Sequence, residues 1–189
     1  MEGKDKVKDK VLVMNIVLIG CRCTGKTSVG RTLSDRLGKK FVDTDDLIEK
    51  RAGCSIDRMV AADGWDRFRS LEGEVIADVS TRDEQVIATG GGIVMDWRNV
   101  ENLGKNGRLI WLQGDAEVIE KRMYDDRQAK VVRPSLTGVD PLEEIRQVLS
   151  LRTPLYERAA SFAVDTSRSS IQEVTETIIR HLAEEGVRS

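Results

Sequence analysis

Residues 20–27 of the chain read Gly20-Cys21-Arg22-Cys23-Thr24-Gly25-Lys26-Thr27. This run matches in full the pattern G-x-x-x-x-G-K-[ST], which describes a loop whose backbone N–H groups curl around phosphate oxygens. An apolar run from Val11 to Ile19 precedes the loop, and a helical pattern from Lys26 to Leu37 follows it. A strand, loop and helix in this order aim the positive end of the helix at a bound anion. The sequence therefore predicts a nucleoside triphosphate site.

The residues of this loop have different predicted roles. We expect Lys26 to reach the β- and γ-phosphates and the Thr27 hydroxyl to bind Mg²⁺. The other predicted nucleotide contacts are Cys21, Arg22, Cys23, Thr24, Gly25 and Ser28. A glycine-containing turn that binds no ligand is the alternative. The two cysteines have no second Cys/His pair at zinc spacing, so we interpret them as small loop residues.

The composition is that of a globular protein. The chain has 189 residues, 40% hydrophobic and 33% charged, which suits one domain with a substantial core. A net charge of -2 is unlike the strongly basic balance of a nucleic-acid binder. No apolar run approaches the roughly 20 residues that a membrane helix needs. Three cysteines are too few for a disulfide framework and suit a reducing compartment. We predict a cytoplasmic monomer that binds neither nucleic acid nor membrane.

The N-terminus leaves one alternative open. Lysine-rich residues 1–10 ahead of the apolar run resemble part of a signal peptide, and Leu18-Ile19-Gly20-Cys21 resembles a lipoprotein cleavage site. Acidic residues among the first ten and Asn15 within the apolar run argue against this interpretation. Cleavage there would also destroy the phosphate loop. We expect a charged tail over residues 1–10 and a single domain over residues 11–189.

Strand and helix patterns alternate along the rest of the chain. The further predicted strands lie at residues 41–42, 86–88, 108–112 and 162–164. The further predicted helices lie at residues 46–51, 56–62, 65–80 and 115–123, from 140 towards 160, and from 170 to about 184. Capping patterns at Asp140-Pro141-x-Glu143 and Ser170–Glu173 mark the last two helix starts. This alternation predicts a three-layer α/β/α fold with a five-stranded parallel sheet.

Four further motifs follow the phosphate loop in order. They are Asp43-Thr44-Asp45, Phe68-Arg69-x-x-Glu72, Gly90-Gly91-Gly92, and Arg133-Pro134 ahead of Arg152-Thr153-Pro154-Leu155-Tyr156. Together with the loop, they resemble the shikimate kinase family of nucleoside monophosphate kinase-like P-loop proteins, over nearly the whole chain. The resemblance implies an enzyme of aromatic amino-acid biosynthesis that transfers the γ-phosphate of ATP to a hydroxyl of shikimate, with Mg²⁺. It also implies a helical acceptor-binding segment at about residues 45–80 and a mobile lid at about 124–136.

The resemblance implies roles for four charged residues. Asp45 would hydrogen-bond the shikimate hydroxyls and accept the proton of the attacking hydroxyl. Asp43 would be associated with Mg²⁺, directly or through water. Arg69 and Arg152 would hold the shikimate carboxylate, because a planar guanidinium matches a carboxylate with two hydrogen bonds.

The resemblance extends to the glycines and to two further arginines. Gly90, Gly91 and Gly92 would let backbone N–H groups approach the ring hydroxyls of shikimate. Arg133 would close with the lid over the transferring phosphoryl group and neutralise its charge, which makes it catalytic together with Lys26 and Asp45. Arg168 would lie beside the adenine.

Each motif by itself also has a plain structural interpretation. Asp43 and Asp45 are placed to cap a helix, and Arg69 and Glu72 to form an exposed pair. Arg133 and Arg152 could be surface charges. Three functional alternatives also stay open: a related kinase acting on gluconate, a non-catalytic nucleotide-binding protein, and a nucleic-acid-binding NTPase. An arginine pair favours an acidic acceptor, but it does not separate shikimate from gluconate.

Overall fold

The computed structural model describes residues 14–128 and 141–188. The strands are β1 (Asn15–Ile19), β2 (Lys40–Asp43), β3 (Gln85–Ala88), β4 (Gly107–Gln113) and β5 (Phe162–Asp165). The helices are α1 (Lys26–Leu37), α2 (Thr44–Ala52), α3 (Ile56–Val79), α4 (Trp97–Gly104), α5 (Ala116–Gln128), α6 (Pro141–Ala159) and α7 (Ile171–Arg188). The predicted tail, the start of the apolar run, Arg133 and most of the predicted lid lie outside the described residues.

The five strands form one parallel sheet in the order β2-β3-β1-β4-β5. In the centre, Leu18 of β1 aligns with Ala88 of β3 on one side and with Ile110 of β4 on the other. The prediction of a five-stranded parallel sheet is confirmed. Because all strands run the same way, the loops that follow β1, β2 and β3 meet at one edge of the sheet, where ligands bind in folds of this kind.

Alternate residues of each strand pack on opposite faces of the sheet. In β1, Ile16 and Leu18 pack with α1 and α7, whereas Val17 and Ile19 pack with α3, α4 and α6. All four side chains are fully buried. A strand with both faces covered has no polar side, which explains the continuous apolar run in the sequence. The layers of helix, sheet and helix confirm the predicted three-layer architecture.

Helix α3 is broken at one residue. Gly64 has φ 80° and ψ 174°, which interrupts the helical backbone between Ile56 and Val79. A side chain at Gly64 would meet no atom within 4 Å, so the conformation, not lack of space, favours glycine here. The sequence predicted two helical pieces, residues 56–62 and 65–80, and this division is confirmed.

One short helix and one turn were not predicted from the sequence. Helix α4 begins after Asp96, whose carboxylate accepts from the backbone N–H of Arg98 at 3.0 Å, and a 3₁₀ turn over Ile93–Met95 precedes it. The buried Val100 and Leu103 are three residues apart on this helix. With Trp97, which is partly buried against the core, the helix has only three apolar positions in eight residues, too short a periodic signal to detect. Among the described residues, no helix has the length and apolar character needed to cross a membrane.

Candidate active site

The phosphate loop joins β1 to α1 and is held in shape by its own side chains. The Lys26 ammonium donates to the carbonyl oxygens of Gly20 and Cys21, at 3.0 and 2.6 Å. The Thr24 hydroxyl donates to the same Cys21 carbonyl at 2.8 Å. Gly25 has φ 91° at the N-cap of α1, a left-handed conformation that glycine adopts most easily. The loop therefore has a defined shape at the positive end of the α1 dipole.

A small cavity of about 120 Å³ lies against this loop. Its lining residues are Cys23, Gly25, Lys26, Thr27, Ser28, Asp43, Asp45, Thr89 and Gly91. Lys26 was predicted to bind the triphosphate and Asp45 to bind the acceptor. The two residues thus line one cavity. The Arg22 side chain does not line this cavity, although its main chain belongs to the loop. We call this space the phosphate cavity.

Asp43 joins the end of β2 to both the phosphate loop and α2. Its Oδ2 accepts from the Thr27 hydroxyl at 2.9 Å, and its Oδ1 accepts from the backbone N–H of Asp45 at 3.1 Å. The second bond caps α2, which begins at Thr44 and not at residue 46 as predicted. Asp43 was interpreted both as a helix cap and as a residue associated with Mg²⁺. The two interpretations are compatible, because the same carboxylate caps α2 and accepts from the Thr27 hydroxyl.

A larger cavity of about 300 Å³ adjoins the first, and we call it the acceptor cavity. It contains every predicted acceptor-binding residue: Asp45, Arg69, Gly90, Gly91, Gly92 and Arg152. Ile56, Trp65 and Phe68 add apolar surface. Asp45 and Gly91 line both cavities, so the two spaces meet at these residues.

Arg69 is held by a carboxylate and by aromatic rings. Its Nη1 lies 2.5 Å from Oε2 of Glu72, which is 1% exposed. The guanidinium also lies 4.9 Å from the ring centre of Phe68, a distance typical of cation–π contact. A Cβ on Gly92 would overlap this guanidinium. Gly92 is thus explained by the close approach of Arg69, a reason that the sequence did not reveal.

The carbonyl of Gly91 is fixed from helix α6. Arg152 Nη1 donates to this oxygen at 3.0 Å, and the Tyr156 hydroxyl donates to it at 2.5 Å. Tyr156 is fully buried and its ring stacks on Trp111 at a centroid distance of 5.6 Å. No sequence signal had indicated a role for Tyr156. Arg152 Nε is buried and has no hydrogen-bond partner among the described residues, and the residue lines the acceptor cavity.

The turn that begins at Gly90 is fixed from the opposite side, by α2. The Gly90 N–H donates to the hydroxyl of the fully buried Thr44 at 3.2 Å. A Cβ on Gly90 would lie 2.9 Å from Oδ1 of Asp45 and 3.2 Å from Oε1 of Glu72. The absent side chain therefore makes room for two carboxylates. The acceptor cavity thus contains these carboxylates close to its arginines, which suits a ligand carrying both hydroxyl and carboxylate groups.

Burial raises the pKa of the Glu72 carboxyl above its usual 4.5, because desolvation outweighs the favourable charge of Arg69. A raised pKa in the folded state means that this group stabilises the fold most below pH 4.5 and that this contribution is lost as the pH rises through the raised pKa. We therefore expect the free energy of unfolding of the wild type, relative to Glu72→Gln, to fall as the pH rises above 4.5. Urea denaturation of both proteins measures it. A difference that increases with pH would contradict this assignment.

Arg122 of α5 is a candidate nucleotide-side residue that sequence reasoning missed. Its guanidinium donates to the carbonyl of Thr166 at 2.6 Å and to that of Cys23 at 3.4 Å. It lines a cavity of about 250 Å³ between the phosphate loop and the segment after β5. Only the pairing of β4 with β5 brings these parts together, so no local signal marked Arg122. The predicted Arg168 is exposed and does not line this cavity, and its adenine contact stays a prediction.

The comparisons with known proteins agree with this geometry. The family model described as shikimate kinase matches residues 22–183. A shikimate kinase of Symbiobacterium thermophilum is 44% identical over 177 residues, which are 93% of this chain and 99% of that protein. A shikimate kinase from Acinetobacter baumannii, solved in complex with shikimate, has a TM-score of 0.86 and 31% identity, covering 95% of this chain and 98% of that one.

A gluconokinase from Sinorhizobium meliloti 1021 has a TM-score of 0.56 and 18% identity over 93% of this chain and 94% of that one. At that identity, the likeness shows a common fold and does not support gluconate as the acceptor. By contrast, the family match spans both cavities and all the motifs described above except the first two residues of the phosphate loop. The chain belongs to the shikimate kinase family.

Proposed function

We propose that this protein transfers the γ-phosphate of ATP to a hydroxyl of shikimate, giving shikimate 3-phosphate and ADP. The observation that carries the proposal is the junction of the two cavities at Asp45 and Gly91. A triphosphate on the loop and an acid gripped by arginines would meet at a carboxylate there. Family membership supports both substrates.

The residues at the junction suit an in-line displacement. The hydroxyl oxygen of the acceptor forms a bond to the γ-phosphorus while the bond to the β–γ bridging oxygen breaks, and ADP leaves. Asp45 accepts the proton that the hydroxyl loses. Lys26, which lines the phosphate cavity, exchanges its bonds to the loop carbonyls for phosphate oxygens. Most of the catalysis then comes from position and charge, because the phosphoryl group needs no covalent intermediate on the protein.

The donor set around Thr27 fits Mg²⁺. The hydroxyl oxygen of Thr27 and a carboxylate oxygen of Asp43 lie 2.9 Å apart beside the phosphate cavity. Mg²⁺ prefers hard oxygen donors and usually takes only one or two from protein, with the rest from phosphate and water. When bound, the ion would neutralise charge on the phosphates. We therefore propose Thr27 and Asp43 as its protein-side contacts.

The acceptor cavity favours a small hydroxylated monocarboxylate. Arg69 and Arg152 supply two guanidinium groups for a carboxylate, and the turn from Gly90 to Gly92 leaves backbone groups close to the ligand. Asp45 accepts from hydroxyls. This combination of groups suits shikimate, which carries one carboxylate and three hydroxyls.

Several parts of the proposal lie beyond the described contacts. We retain the predictions that Arg133 closes over the phosphoryl group with a lid at about residues 124–136, and that Arg168 approaches the adenine. We also propose a single domain over residues 11–189, a monomeric state and a cytoplasmic location. The three cysteines form no disulfide with one another, which suits a reducing compartment. Light scattering after size-exclusion chromatography tests the monomer.

The proposed function is tested by ADP release from ATP–Mg²⁺ with a panel of acceptors. We expect turnover with shikimate only, and background rates with gluconate and with nucleoside monophosphates. Mass spectrometry of the product should show one added phosphoryl group on shikimate. Turnover with gluconate and not shikimate would favour the alternative kinase. Nucleotide binding without turnover on any acceptor would favour the non-catalytic alternative.

A further inference from the structure

A third arginine lines the acceptor cavity beside Arg69 and Arg152. Arg22 belongs to the phosphate loop in sequence, yet this residue lines the acceptor cavity and not the phosphate cavity. It forms an ion pair with Glu144 of α6, and the two side chains are 14% and 3% exposed. The sequence analysis assigned Arg22 to the nucleotide and gave Glu144 no role.

Glu144 belongs to one face of helix α6 that contacts both substrate loops. Glu144, Val148, Arg152 and Tyr156 follow at intervals of four residues, which places them on one side of a helix. Glu144 pairs with the phosphate loop through Arg22, and Val148 lines the acceptor cavity. Arg152 and Tyr156 both donate to the carbonyl of Gly91. Helix α6 therefore supplies Arg152 to the acceptor cavity and also, through Glu144, contacts Arg22.

The three guanidinium groups differ in what they contact. Arg69 is paired with Glu72, but its guanidinium is packed against Gly92 and Phe68, which fixes its place in the cavity. Arg152 donates to a neutral carbonyl and retains a buried Nε without a partner among the described residues. Arg22 is paired with a nearly fully buried carboxylate. A buried ion pair contributes little net stability, and its best supported use is to fix a group in one arrangement.

We propose that Glu144 is a positioning residue, which holds the Arg22 side chain against α6 so that the acceptor carboxylate engages Arg69 and Arg152. The inference rests on the proposed function for the identity of the acceptor. Without the carboxylate of Glu144, Arg22 would lose the buried anion that holds it towards α6, and its charge would compete with Arg69 and Arg152 for the acceptor. The acceptor would then bind in a second orientation, with its reacting hydroxyl displaced from Asp45.

The kinetic test compares Glu144→Gln with Glu143→Gln, an exposed neighbour in the same first turn of α6 that controls for helix-dipole effects. We expect Glu144→Gln to lower kcat about tenfold, because even a small misplacement of a reacting group slows an oriented reaction. The acceptor KM should stay the same or fall, since the charge of Arg22 has lost this carboxylate. A merely structural role would instead raise the acceptor KM, whereas a lower unfolding temperature is expected in either case because a buried ion pair is broken. Glu143→Gln should match the wild type.

The double variant Arg22→Gln/Glu144→Gln tests whether the charge of Arg22 causes the loss of kcat. It removes the competing cation together with its partner, so kcat should recover most of the loss seen in Glu144→Gln. A double variant no faster than the single variant would overturn the proposal. Unchanged kcat in Glu144→Gln would also overturn it.

A second measurement does not depend on turnover. Phenylglyoxal modifies accessible guanidinium groups, and peptide mass spectrometry reports each arginine separately. Arg22 should react slowly in the wild type and faster in Glu144→Gln, with the 85% exposed Arg98 as the reference. Wild-type Arg22 reacting as fast as Arg98 would refute the positioning role even in an active kinase. Conversely, a wild type inactive on shikimate would refute the proposed function while the labelling still tests Glu144. Glu144→Asp serves if Glu144→Gln does not fold, since its shorter carboxylate should also leave Arg22 more reactive.

Discussion

Asp45→Asn should lower kcat on shikimate about 10³-fold, within the range that a positioned general base contributes. Asp45 lines both cavities and is the only aspartate that does so among the described residues. Asparagine keeps the size and one acceptor oxygen, but it cannot take the proton from the hydroxyl. Steady-state ADP release measures the loss, and calorimetric titration should show ADP affinity close to that of the wild type.

The matched control for this variant is Asp66→Asn, on the exposed part of α3 outside both cavities. It should have wild-type kinetics. Near-normal turnover in Asp45→Asn would remove Asp45 from the reaction and leave it as a hydroxyl contact. A large loss of ADP affinity would instead show that the variant had disturbed the phosphate cavity.

Arg152→Met should lower kcat/KM for shikimate about 100-fold, the cost of losing a charged hydrogen-bonding partner from a buried site. The guanidinium has a buried Nε without a partner among the described residues, and methionine replaces its bulk without its charge. The turn at Gly91 should stay in place, because Tyr156 also donates to its carbonyl. The loss should therefore appear with the acceptor and not with ADP.

An acceptor in which the shikimate carboxylate is reduced to a hydroxymethyl group tests this assignment directly. The wild type should use it poorly, and Arg152→Met should cause little further loss. An equal loss on both acceptors would show that Arg152 supports the cavity without binding the carboxylate. Arg158→Met, six residues along the same helix, is the control; Arg158 is exposed and lies 4.1 Å above the ring of Trp97.

The sequence was sufficient for the order of the fold and for most cavity residues, because those signals are local. The phosphate loop follows directly from its glycines and Lys26, and fully buried strands appear as apolar runs. Asp45, Arg69 and Arg152 came from a resemblance to a family, which had already aligned distant parts of the chain. One segment was enough for the phosphate loop and for the strands, whereas the acceptor-binding residues required the ordered set of motifs.

The direction of a side chain across a tertiary contact could not be read in this way. Arg22 lies in the phosphate loop, but the side chain turns to Glu144, 122 residues later. Arg122 meets Thr166 only because β4 and β5 pair. Gly92 is required by the position of Arg69 and not by its own turn. Each of these depends on packing between elements, for which sequence spacing carries no signal.

The break at Gly64 divides the acceptor cavity into two separately encoded walls. Ile56 and Asp57 come from the helical piece before the break, whereas Phe68, Arg69 and Glu72 come from the piece after it. Substitutions in the first piece can therefore change the wall formed by Ile56 and Asp57, while Arg69 keeps its contacts with Glu72 and Phe68. Natural or engineered substitutions at these positions would alter the acceptor cavity without changing the residues that line the phosphate cavity.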